Sequence, residues 1–203
     1  MAEGKTVKRV ILVTDGDEIA RQAVERAARN IGGRCVSASA GNPTPLNGAM
    51  IVKLIKETPH DPVVVMFDDR GSRFKGKGEK ALEYVVKHPD IEVMGVLAVA
   101  SHTEYIAGAH IDVAVNNRQE LVEGQVDKNG RLISSRKVIL GDTVDVLNNL
   151  REKIPIVVGI GDIGKMEGSD APEKGAQVTT KALQYIMEYW QSGRAKSLAI
   201  SES

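Results

Sequence analysis

Carboxylates gather where the apolar runs of this chain end. Asp15, Asp17 and Glu18 follow residues 10–13, Asp68 and Asp69 follow 63–67, and Asp162 follows 155–160. If those runs are parallel strands, the loops share the carboxyl edge of one sheet, where α/β proteins bind ligands. Asp15, Asp17, Asp68, Asp69 and Asp162 are therefore candidate metal ligands, because converging carboxylates suit Mg²⁺ or Ca²⁺, hard cations that take oxygen. Each also has an ordinary duty on offer. Asp15 and Glu18 have the spacing of a capping box, and Asp68 and Asp69 can cap turns or pair with Arg70.

An anion site is the second candidate. Residues 70–78, RGSRFKGKG, stand just before a helix. Exposed amides, a helix N-terminus and the cations Arg70, Arg73, Lys75 and Lys77 would suit a negative ligand there. A solvated loop is the competing reading. The stretch IPIVVGIGDIGKMEG, residues 154–168, adds Gly161 and Gly164 to the same candidate set. Gly159, Gly161 and Gly164 spell G-x-G-x-x-G, and Gly159, Gly164 and Lys165 come within one residue of a P-loop.

Neither nucleotide reading holds. A dinucleotide turn opens directly into a helix and needs an acid at the end of the next strand. Here Gly168, Pro172 and Gly175 interrupt the following residues, and only one helix remains. The P-loop lacks its hydroxyl, because Met166 stands at the Ser/Thr position, and Asp162 puts a carboxylate where phosphate would sit. Glycines that let the chain turn sharply off a buried strand explain the pattern better.

Other chemistry finds little support. His60, His88, His102 and His110 show no metal-binding spacing, although His102 follows a strand and could reach a pocket. Cys35 is the only cysteine, which excludes an intrachain disulfide and reads as a buried thiol. No serine or cysteine sits in a nucleophile elbow. With 27 Lys plus Arg against 27 Asp plus Glu, the net charge of zero gives no long-range pull toward nucleic acid or an anionic membrane. Aromatic residues are too few for base stacking. The N-terminus has no signal-peptide core, and no run approaches the length of a membrane span.

The elements that must position these residues alternate. Strands are expected at 10–13, 34–38, 63–67, 93–100, 111–115 and 155–160. Helical stripes run through Ile19, Ala23 and Ala27, through Ile51 and Ile55, through Leu82 and Val85, and through Val146, Leu147 and Leu150 in a helix at 142–152. A closing helix carries Leu183, Ile186 and Trp190 and should stop at Gly193. Segments 121–126 and 132–140 flank Asp127-Lys128-Asn129-Gly130, whose Asn-Gly pair favours a hairpin. The expectation is one α/β domain over 1–193, with a tail at 194–203. Its mostly parallel sheet is Rossmann-like or flavodoxin-like, covered by helices on both faces, with a hairpin insertion near 116–140.

Taken together, RVILVTDGDE, GGRCVSASAGNPT, TPHDPVVVMFDDRG, EVMGVLAVAS and IPIVVGIGDIGKM resemble the stage V sporulation protein AE family, in the same order from about Arg9 to Trp190. This is the soluble, hydrophilic AE protein of the spore-former operon for dipicolinic acid transport. The resemblance implies a non-enzymatic subunit of the machinery that moves dipicolinic acid, with Ca²⁺, into the spore and out at germination. It also implies peripheral association with the spore inner membrane through membrane and soluble proteins of that complex. It carries over no catalytic residue and no cofactor, and it leaves Ca²⁺ or Mg²⁺ at the acidic loops open. A homo-oligomer is compatible with it; direct membrane insertion and nucleic acid are not expected. The rival reading is a Toprim-like or phosphohydrolase-like Mg²⁺ enzyme using Asp15, Asp17, Asp68 and Asp69.

Overall fold

The computed structural model describes residues 7–70, 75–101, 108–141 and 143–201. The chain runs through β1 (Lys8–Val13), α1 (Glu18–Asn30), β2 (Arg34–Cys35), α2 (Gly48–Glu57), β3 (Val63–Met66), α3 (Lys77–Lys87) and β4 (Ile91–Val99). It continues with β5 (Ala109–His110), β6 (Val113–Val115), β7 (Leu121–Val122), β8 (Gln125–Val126), β9 (Leu132–Ser134) and β10 (Val138–Ile139). It closes with α4 (Asp145–Asn149), β11 (Val157–Ile160) and α5 (Gln177–Ser201).

Non-alternating strands are buried on both faces, and the core follows from that. Val10 and Leu12 join one apolar cluster with Ile51, Leu82 and Leu147 from α2, α3 and α4. Ile11 and Val13 point the other way, into a cluster with Val24 of α1 and Leu183 of α5. Each such side chain contributes roughly 1.5–3 kcal/mol by leaving water. The seven-stranded sheet has the order β2-β3-β1-β4-β11-β6-β7. All neighbours are parallel except β6 and β7. This is the expected Rossmann-like or flavodoxin-like α/β architecture.

The strand order sets the place of a crevice. After β1 the chain crosses toward β2 on one side, and after β4 it leads toward β6 and β11 on the other. Loops that diverge from neighbouring strands leave a switch point between β1 and β4. Hydroxyl groups finish the ladder at this edge. Thr14 Oγ1 accepts from Val99 N at 3.0 Å, and Ser39 Oγ accepts from Met66 N at 3.0 Å. Thr44 Oγ1 accepts from Asp68 N at 2.8 Å. All three residues are buried. Each satisfies an amide that would otherwise be stranded where the strands part.

Several boundaries differ from expectation. The hairpin turn forms: Gly130 has φ 73°, and Asp127 Oδ1 accepts from Asn129 N and Arg131 N at 2.9 Å. Its flanks do not stay continuous. Segment 121–126 breaks at Gly124 (φ 151°), so β7 joins the main sheet and only β8 pairs with β9. Segment 132–140 breaks too, and β10 pairs with β5. β2 ends after two residues in a 3₁₀ turn at Ser37–Ser39. The expected helix at 142–152 shortens to α4 and a 3₁₀ turn at Arg151–Lys153; its expected first residue, Asp142, lies outside the described residues.

Gly193 does not stop α5, which continues to Ser201. A mid-helix glycine costs only about 1 kcal/mol relative to alanine. The next residue repays it, because Arg194 stacks 4.8 Å from the Trp190 ring centroid and reaches Glu92 at 3.4 Å. Cys35 is buried as expected, and burial pushes its thiol up to about 12.

Candidate functional site

Beyond β1, a tight turn holds the first two aspartates. Asp17, not Asp15, is the N-cap of α1: its Oδ1 accepts from Ala20 N at 2.8 Å. The capping-box reading of Asp15 with Glu18 is therefore displaced by two residues. Asp15 accepts instead from Asp17 N at 3.2 Å. Burial, then the charge of Asp17, pushes the Asp15 carboxyl up to about 8; the Asp17 amide opposes this, and Asp68 and Asp162 add to it.

Lys165 is the counter-charge. Its Nζ lies 2.7 Å from Asp17 Oδ2 and 3.1 Å from Asp162 Oδ1. Burial works against the ammonium, but the hydrogen bonds to Asp17 and Asp162 outweigh it and hold Lys165 above its usual range. For Asp17, burial is likewise opposed by the Ala20 amide and by Lys165, and the net direction is downward. Asp15, Asp17, Asp68 and Asp162 thus share one electrostatic neighbourhood around the β1 turn. Lys165, from the glycine loop, pairs with two of them, Asp17 and Asp162, and burial holds the Asp15 carboxyl far above its usual range.

The residues after β3 face another task. Asp69 accepts from Gly78 N and Glu79 N at 2.7 Å each, satisfying two first-turn amides of α3. Thr143 Oγ1 lies 3.5 Å from the same carboxylate. Asp68 Oδ1 accepts from Arg70 N at 2.8 Å in a turn where Arg70 takes φ 55°. Nearby, burial raises the Glu79 carboxyl, with Asp69 and Asp145 adding to it. Among the described residues, no three His, Cys, Asp or Glu side chains form a group that could hold a metal ion.

The candidate anion residues are not gathered in one place. Arg70 is exposed, and Lys75 pairs with Glu83 on α3. Lys77 is exposed on the first turn of α3. Arg73 lies outside the described residues, as does His102. Gly161 and Gly164 pack elsewhere. A Cβ at Gly161 would stand 2.6 Å from Gly130 N and 2.8 Å from Met166 Sδ. At Gly164 (φ 76°) it would stand 2.8 Å from Ile19 Cγ2. Lys165 and Met166 lead into a short 3₁₀ turn (Met166–Gly168), not a helix whose N-terminus faces phosphate.

These contacts make the glycines packing residues, with a measurable consequence. Gly161→Ala must push the hairpin turn away, an overpacking cost of roughly 1–3 kcal/mol. A thermal melt should show a midpoint lowered by about 2–12 °C, at roughly 2–4 °C per kcal/mol for a chain of this size. An unchanged midpoint would mean that the loop does not need glycine for packing.

Asp170 is the residue the sequence reading missed. It is fully buried and accepts from Gly164 N at 2.8 Å, Thr179 N at 2.8 Å and Thr179 Oγ1 at 2.6 Å. It fastens the glycine loop to the first turn of α5. Burial raises its carboxyl; Thr179 and the amides of Gly164, Thr179 and Val178 oppose that. An aspartate between Ser169 and Ala171 reads as a turn former, and only its later partner, Thr179, could have flagged it.

The chain matches a family model described as Stage V sporulation protein AE1 over residues 9–189. Comparison with curated proteins and with solved structures gives no match. No helix among the described residues is long and apolar enough to cross a membrane.

Proposed function

The chain belongs to the stage V sporulation protein AE1 family, and from that premise we propose that it is a non-enzymatic subunit of the spore inner-membrane machinery for dipicolinic acid. It acts there by protein contact, in uptake during sporulation and release in germination. The observation that carries this reading is the match over residues 9–189. The geometry supports it, because Asp17, Asp69, Asp162 and Lys165 direct polar atoms to capping and pairing within the fold. Association with the membrane is then through partner proteins.

The test is dipicolinic acid content and release in spores carrying variants of this chain. Spores lacking the chain should be impaired. Spores with Asp15→Asn or Asp162→Asn should accumulate and release the acid at near-native levels. Loss of release with either substitution would overturn the contact reading and move function to the carboxyl edge of the sheet.

One observation favours a second reading. Burial, with Asp17, Asp68 and Asp162 nearby, raises the Asp15 carboxyl to about 8, into the range an acid-base group in Mg²⁺-dependent phosphate chemistry would use. That reading requires turnover of a phosphate or nucleic-acid substrate with Mg²⁺ or Mn²⁺, abolished by Asp15→Asn. No turnover by the folded native chain ends it.

A further inference from the structure

On one flank of the molecule, α2 and α3 pack side by side. Gly48, the first residue of α2, leaves room for the Tyr84 ring: a Cβ there would stand 2.6 Å from Tyr84 Cγ. Two cavities of about 580 Å³ each open on this flank. Pro45, Leu46, Ala49 and Ala81 line the first, and His88 and Pro89 line the second. Lys80 and Tyr84 line both, so the two adjoin along the outer side of α3: the first opens between α3 and the start of α2, and the second is lined by α3 and the residues just after it. α3 has 11 residues, about 16 Å at 1.5 Å per residue, or three helical turns.

The groove has an apolar floor and a positive rim. Pro45, Leu46, Ala49, Ala81 and the Tyr84 ring, which is 47% exposed, make up its apolar part. Lys77 and Lys80 line it, and neither ammonium has an ion pair or hydrogen bond among the described residues. Of the two acids on α3, Glu83 is already held by Lys75 and Lys87, and Glu79 lies beside Asp69, outside the lining of both cavities.

We propose that the α2–α3 groove docks an acidic, amphipathic helical segment of a protein partner. Apolar side chains on one face of that helix would cover Tyr84, Leu46 and Ala81, and carboxylates beside them would meet Lys77 and Lys80. The two adjoining cavities follow the outer side of α3, and an apolar cleft rimmed by lysines beside a helix suits a second helix laid along it. The inference deepens the protein-contact reading and rests on it for its biological setting.

The probe is a synthetic helical peptide with leucines at i, i+3, i+4 and i+7 and flanking glutamates. It is titrated into the isotope-labelled full chain and followed by amide NMR shifts. Controls are the same peptide with lysines for glutamates, and a scrambled order. The expected result is saturable shifts at Gly48, Ala49, Lys80, Ala81 and Tyr84, with affinity falling at least about tenfold in Lys77→Glu/Lys80→Glu and in Tyr84→Ala. Thermal melts of the lysine variant should stay near the native chain, since both lysines are exposed; for Tyr84→Ala, whose ring packs against Gly48, native amide shifts away from the groove show that the fold is kept. No saturable shift, shifts on another face, or equal binding of the basic peptide would overturn the proposal. So would self-association of the chain alone that Tyr84→Ala abolishes, because a second copy would then be the occupant. Failure here leaves co-purification with spore membrane proteins untouched, so loss of the groove and loss of the contact reading are separate results.

Discussion

Asp15→Asn should stabilise the protein at pH 8 and have no such effect at pH 4. The sign follows from proton binding. The Asp15 carboxyl sits at about 8 in the folded chain against an ordinary 3.8. Below pH 4 both folded and unfolded forms keep the proton, and the residue costs nothing. As pH rises from 4 to 8, the unfolded chain releases it while the folded chain holds it, so stability falls; above 8 the full cost is present. Burial is the first cause, with Asp17, Asp68 and Asp162 facing the group and Lys165 committed to Asp17 and Asp162. Asparagine keeps the acceptor for the Asp17 amide and cannot ionise. At roughly 1.4 kcal/mol per pKa unit, discounted for partial exposure, the gain is about 3 kcal/mol, or about 6–12 °C in melting midpoint. Equal melting curves for the native chain and Asp15→Asn across pH 4 to 9 would show that the carboxyl is not perturbed.

Asp170→Ala should produce the largest loss. It deprives the amides of Gly164 and Thr179 and the Thr179 hydroxyl of their acceptor, in a place closed to water. An unsatisfied buried donor costs about 1–3 kcal/mol, so the total is about 4 kcal/mol and the midpoint falls by roughly 8–16 °C. Hydrogen exchange should locate the damage at the glycine loop and first turn of α5, with β1 and β3 still protected. A midpoint within about 2 °C of native would mean that the loop finds other acceptors at little cost.

What the sequence disclosed follows from range. Runs such as Val10–Val13 and Val63–Met66 announce strands buried on both faces, and the stripe Ile19, Ala23 and Ala27 announces α1, although Ile19 itself is left exposed and Ala20 and Val24 are buried in its place. Period and apolarity are local, so the α/β architecture was legible. The loss of strand continuity at Gly124 was not, because it depends on Ser134 and Leu132 packing against that glycine. The site shows the same divide. The strand-end positions of Asp15, Asp17, Asp68, Asp69 and Asp162 could be read directly. Their assignments could not, because Lys165 reaches Asp17 across 148 residues of sequence and Asp69 meets Glu79 only once α3 has formed. Residue types named the candidates; tertiary contacts decided which became caps, which became ion pairs, and which one, Asp15, was held far above the usual carboxylate range.

The central claim is membership of a membrane-bound assembly, and affinity capture of the full chain from detergent-solubilised spore inner membranes tests it most directly. The account predicts that membrane-embedded proteins of dipicolinic acid transport elute with the native chain in fixed proportion, and equally with Asp15→Asn. Recovery of the chain alone, with those proteins left in the membrane fraction, would contradict it.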